Sequence, residues 1–202
     1  RVRFLAAIEM AGDERDAVTQ ALTKLARESA ADAWMRKAVL SASENRAGVI
    51  LAALLADKQF TGKALDGHVD LVLEFATAAG ARGNVDELKK ILTVVADVDT
   101  QAMWWKYATV TGMSSGLRRS KLKQKSIAAL VASPPEELKA RIPAVKAVLD
   151  SAKAELMDSS RPVADRLAAL PLVQQKGIAE MLPIVEKLID QTEPVEIQQA
   201  VC

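Results

Sequence analysis

DAWMRKAVLSASENRAGVILAALLAD, residues 32–57, decides the reading of this chain. Asp32 is a good helix N-cap, and Trp34, Met35, Ala38, Val39 and Ala42 follow it at the three-and-four spacing that gathers side chains on one face. The segment up to Ser43 therefore reads as an outer helix with one apolar stripe, and Trp34 belongs to that stripe. After the break at Glu44-Asn45-Arg46, residues Val49, Ile50, Leu51, Leu54 and Leu55 leave the second helix almost no polar face. Such a helix has to be covered on several sides. One helix pair is too small to do it, whereas stacked neighbouring pairs can, which is the logic of an α-helical repeat.

The arrangement recurs in both directions. Upstream, Arg1 to Met10 forms an outer helix stopped by Gly12, and Asp13 opens a partner with Ala17, Val18, Ala21, Leu22, Leu25 and Ala26 on one face. Downstream, a third pair begins at Asp66-Gly67-His68, turns at Gly80-Ala81-Arg82-Gly83 and restarts at Asn84, with Glu87 in capping-box spacing. A fourth begins at Thr100, carries Trp104, Trp105 and Tyr107, passes Gly112 and Gly116, and continues in a basic helix over Ser120 to Ala132. Ser133-Pro134-Pro135-Glu136 is a start signal for a short helix to about Ile142, and Pro143 opens a longer one through Leu156. Arg161 to Leu170 and Gly177 to Asp190 make a sixth pair, with Pro171 and Pro183 ending or kinking helices. The expectation is an all-α chain of about six pairs, a right-handed α-solenoid forming one repeat domain over residues 1–202. The chain starts and stops in mid-helix, so it is expected to be a segment of a longer protein, cut mid-repeat at both ends.

Composition agrees with helices. Half of the residues are apolar but only 3% are aromatic, and a formal net charge of +1 argues against a chain that coats nucleic acid. A single cysteine, Cys202, excludes an internal disulfide framework and a cysteine-only metal site; it takes a small packing position in the repeat. The longest apolar run, Gly48 to Ala56, is far short of the roughly 20 residues needed to span a bilayer.

The short runs VRFLAAI from Val2, MRKAVL from Met35, DRLAAL from Asp165 and IQQAVC from Ile197 share a basic or amide residue ahead of small and aliphatic ones, the last two preceded by Pro162-Val163 and Pro194-Val195. This resembles the outer helix of HEAT repeats. The resemblance implies that Arg3, Arg36 and Arg166, with Gln198 in the fourth copy, hydrogen-bond along the stack. More narrowly, DAWMRKAVLSA, FATAAGARGNVDEL, WWKYATVTGMSSGLRR, RPVADRLAAL and EPVEIQQAV in that order look like the helical segment of large exported planctomycete-type proteins described as membrane-bound dehydrogenases. That resemblance implies a flanking β-propeller and a c-type haem module in a longer, exported or periplasmic polypeptide. The haem-attachment sequence Cys-x-x-Cys-His is absent here, so no cofactor is expected in this segment.

Candidate contact residues cluster between Thr100 and Pro135, where Lys106, Arg118, Arg119, Lys121, Lys123 and Lys125 occur without an acid. Beside Trp105, they form an expected partner-binding surface for an acidic protein face, a phosphate or nucleic acid. The plainer alternatives are a solvated helix face and tryptophans buried between repeats. His68, the only histidine, reads as a surface residue beside Asp66 and Asp70. The glycine-containing runs lack a phosphate-loop signature and read as turns or close-packing points. The leading expectation is a non-catalytic scaffold that binds a protein partner or neighbouring domains of the same chain. An enzymatic alternative is a HEAT-like DNA glycosylase using Asp97, Asp99, Trp104, Trp105 and the basic helix.

Overall fold

The computed structural model describes residues 2–13, 15–98, 102–174, 178–189 and 192–201. Asp99 and Cys202 lie outside them. The described chain is all-α, with no strand. Its helices are α1 (Val2–Glu9), α2 (Asp16–Glu28), α3 (Ala33–Ala42), α4 (Ala47–Ala56), α5 (Lys58–Thr61), α6 (His68–Arg82) and α7 (Val85–Asp97). Then come α8 (Trp104–Leu117), α9 (Ile127–Ala132), a 3-10 helix (Glu136–Arg141), α10 (Ile142–Met157), α11 (Val163–Gln174), α12 (Ile178–Leu188) and α13 (Val195–Val201).

Local chemistry sets the boundaries. The Asp32 carboxylate accepts from the amides of Trp34 (2.9 Å) and Met35 (3.1 Å), and Asn84 Oδ1 accepts from the Glu87 amide at 3.1 Å, so two of the caps expected from sequence form. Gly83 ends α6 in the left-handed region at φ +62°, where it alone avoids a Cβ penalty. Proline is tolerated inside two helices: α11 continues to Gln174 beyond Pro171, and α12 contains Pro183.

The helices touch in two successions. α1 packs on α3, α3 on α6, α6 on α8, α8 on α11 and α11 on α13; alongside, α2 packs on α4, α4 on α7, and α7 on the 3-10 helix and α10. Between α6 and α8 the approach is backbone to backbone. A Cβ built on Gly116 would lie 2.2 Å from the Thr77 carbonyl oxygen, one on Gly112 2.6 Å from that of Leu73, and one on Gly80 2.7 Å from that of Met113. No other pair of described helices packs as extensively. Helix α8 is consequently buried nearly all round, with both Trp104 and Trp105 inside.

Buried polar groups tie successive helices together. Arg36 Nη1 donates to the Ala30 carbonyl (2.7 Å), and Nη2 reaches Asp70 of α6 (3.0 Å). Arg166 repeats the device: Nε donates to the Leu156 carbonyl (2.9 Å), and Nη1 lies 2.7 Å from Glu193. Gln198 donates to the Glu193 carbonyl at 2.7 Å. Arg3, by contrast, is exposed. Asp165 of α11 accepts from the Trp104 amide at the start of α8 (3.0 Å), satisfying an orphan donor from 61 residues away. Burial pushes its carboxyl above the ordinary range, against that hydrogen bond and Arg161.

Three sequence expectations need correction. Trp34 is 74% exposed, not part of the core stripe. Trp34 and Arg36 flank the inward face of α3, and Arg36 is the one drawn in, because it finds the Ala30 carbonyl and Asp70. His68 is buried, stacked on Phe60 with ring centroids 4.4 Å apart. The basic run 118–126 is not helical: the chain is helical only from Ile127, whose helix Ser126 caps through the Ala129 amide (3.1 Å). Ser120 Oγ bonds back to the Leu117 carbonyl (2.9 Å), Lys125 Nζ donates to the Ser120 carbonyl, and Gln124 donates to that of Ser133 (2.6 Å). Side chains thus satisfy the backbone locally and compete with helix extension.

Candidate functional site

Helix α4, AGVILAALLA, buries Ile50, Leu51, Leu54 and Leu55 between its neighbours. Its fourth side stays open. Val49, Ala52, Ala53 and Ala56, at positions i, i+3, i+4 and i+7, are half-buried or exposed and form one strip along the helix. The sequence rightly marks α4 as apolar all round, yet the structure leaves that strip uncovered.

Because the strip is made of small side chains, it is recessed between α2 and α7. Two adjoining grooves result, sharing Val49. The first, of about 500 Å³, has a floor of Val49, Ala53 and Leu54, and α2 supplies its wall through Asp16, Gln20, Thr23 and Lys24. An ion pair between Arg27 and Asp57 (2.8 Å) spans from α2 to the end of α4 in its lining. Asp57 is held below the ordinary carboxyl range, first by the Gln59 amide it accepts from and also by Arg27, so it is anionic at neutral pH. The second groove, of about 650 Å³, runs between α4 and α7, floored by Val49 and Ala52 and walled by Asp86, Lys89, Lys90, Thr93 and Val94. Lys89 and Lys90 are exposed. An apolar floor between mixed charged rims is the anatomy of a peptide-contact surface.

The residues proposed from sequence as one contact surface do not form one. Trp105 is fully buried and presents no contact surface. Lys106 sits beside it, with Nζ 5.3 Å from the indole centroid. Arg118, Arg119, Lys121, Lys123 and Lys125 are exposed, but on the loop after the other end of α8. Arg118 follows Trp105 by thirteen positions along and just past α8, about 20 Å at the α-helical rise. Trp104 is equally buried, its indole N–H donating to the Thr61 carbonyl (3.1 Å), so neither tryptophan offers a stacking platform. Asp97 lies 3.5 Å from Arg141. The aromatic that does face solvent is Trp34, with Lys37 Nζ 5.7 Å from its ring.

A second polar cluster joins α8, α10 and α11. Tyr107 Oη and Ser151 Oγ are 3.1 Å apart, and Arg161 Nε donates to Glu155 at 2.6 Å with Asp165 3.7 Å away. Burial raises the Tyr107 phenol above its usual range. These groups are committed to one another and to the Trp104 amide, which makes the cluster a brace. Among the described residues, no group of three or more His, Cys, Asp or Glu is placed to hold a metal ion. No described helix is long and apolar enough to cross a membrane.

Neither protein-family models, nor curated proteins, nor solved structures match this chain.

Proposed function

We propose that this chain is a non-catalytic scaffold of HEAT-like helix pairs whose α2–α4–α7 face grips a segment of a protein partner. The observation carrying this reading is the uncovered apolar strip of α4, whose Val49, Ala52 and Ala53 floor two charged-rimmed grooves. An apolar helix surrounded by neighbours on three sides gains free energy from closure on the fourth. The two parallel successions of helix contacts support the solenoid part of the proposal. So does the accessible area: 10702 Å² against about 9200 Å² for a compact globular monomer of this mass. The wider setting, a spacer between catalytic and redox domains of a larger exported dehydrogenase-like polypeptide, rests on the sequence resemblance alone.

A displayed random-peptide library selected on the immobilised chain tests the binding face. Peptides are expected whose affinity drops at least tenfold with Ala53→Arg and stays within twofold when Arg118, Arg119, Lys121 and Lys123 are reversed to Glu. Selected peptides indifferent to Ala53→Arg would remove the α4 face from the proposal.

A further inference from the structure

On the other succession of helices, a cleft of about 300 Å³ lies over α8. Ala108 and Thr111 of α8 line it together with Val69 and Leu73 of α6 and Leu167 and Pro171 of α11. No charged side chain lines this cleft, which sets it apart from both grooves beside α4. Its volume is at the lower end of the range for small-ligand sites.

One polar side chain breaks the apolar lining. Thr111 is only 8% exposed, and its hydroxyl has no hydrogen-bond partner. Several helical threonines bond back to the carbonyl four residues earlier: Thr23 to Thr19 (2.8 Å), Thr61 to Asp57 (3.0 Å), Thr77 to Leu73 (2.7 Å) and Thr109 to Trp105 (2.7 Å). Thr111 makes no such bond, and a buried hydroxyl without a partner is costly. In the α11 wall, Pro171 has no N–H to offer the Leu167 carbonyl four residues back.

We infer that the cleft between α6, α8 and α11 binds a small uncharged molecule, or an uncharged hydrocarbon end group, bearing one hydroxyl that pairs with Thr111. The apolar walls take the hydrocarbon body. The lack of any charge in the lining disfavours an ionised ligand, whose desolvation nothing there would offset. The Thr111 hydroxyl both donates and accepts, so it matches an alcohol or phenol better than a bare hydrocarbon.

Amide-resolved NMR titration with p-cresol and toluene, which share a skeleton and differ by the hydroxyl, provides the test. The expected result is p-cresol binding roughly tenfold tighter than toluene, with shifts centred on Thr111, in line with the net worth of one buried hydrogen bond. Thr111→Val should bring the two probes within twofold while keeping toluene. Ala164, on α11, also lines the cleft, and Ala164→Phe, which fills it, should weaken both at least tenfold; if that variant fails to fold, Val69→Phe fills the same space from α6. Equal binding of the two probes, retention of the p-cresol preference by Thr111→Val, or no local shifts at millimolar probe would each overturn the inference.

Discussion

Helices α4 and α8 are both apolar around most of their circumference, yet α8 is buried on nearly every side and α4 keeps an open strip. Around α8, glycines at 80, 112 and 116 let α6 approach until backbone meets backbone, and α10 and α11 cover most of the rest, leaving the narrow cleft over Ala108 and Thr111. Around α4, the outward residues are also small, but α2 and α7 flank them with long charged side chains and leave the strip open. Apolar periodicity therefore shows that a helix needs cover. What supplies the cover depends on whether a neighbour has a surface flat enough to close on it.

The contrast can be broken most forcefully at α8. Gly116→Ala places a Cβ 2.2 Å from the Thr77 carbonyl oxygen and 2.6 Å from the Ala81 nitrogen, rigid backbone on both counts. We expect a loss of about 3 kcal/mol or more in urea unfolding, at the upper end for overpacking because no side chain can move aside. Asp165→Ala comes next. It orphans the buried Trp104 amide and removes a partner of Arg161, for a loss of about 2 kcal/mol on the same measurement.

The third effect depends on pH. Burial holds the His68 imidazole below its ordinary 6.5, although the carbonyls of Lys63 and Phe60 oppose the shift. As pH falls below 6.5 the unfolded chain takes up the proton first, so stability declines until the folded imidazole also protonates. His68→Phe, which preserves stacking on Phe60, should abolish that acid-side slope in unfolding curves. Asp165 works in the opposite sense. Its raised pKa gives stability that is present in acid and lost as pH rises from 3.8 through the folded value. The smallest effect is expected at the open helix, where Ala53→Arg should change stability by no more than about 0.5 kcal/mol. A large loss there would mean that the α4 strip is structurally closed after all.

How far the sequence could be read follows from which interactions are local. Asp32 and Asn84 cap their helices as expected because a cap needs only its own next turn. Of the residues in the shared Arg motif, Arg36 and Arg166 are buried and bond to neighbouring segments, whereas Arg3 is exposed. Trp34 is misread because two side chains border the inward face of α3, and a distant carboxylate, Asp70, selects Arg36. The basic segment is misread because Lys, Leu and Gln permit a helix, while Ser120 and Ser126 redirect the backbone through bonds that composition does not reveal. The candidate face was partly visible. The apolar span Gly48 to Ala56 marks α4, but its open side depends on where α2 and α7 settle. A signal was there in the placing of Ala and Val at 49, 52, 53 and 56, the positions left for the outward side once the larger aliphatics turn inward.

Glycines let the main chains of α6 and α8 meet at three points, and that bears on how the chain carries a mechanical load. A packing of bulky rotamers can slip and reseat, whereas interlocked main chains have no such slack. Under load this joint is therefore expected to deform less than contacts made through flexible side chains.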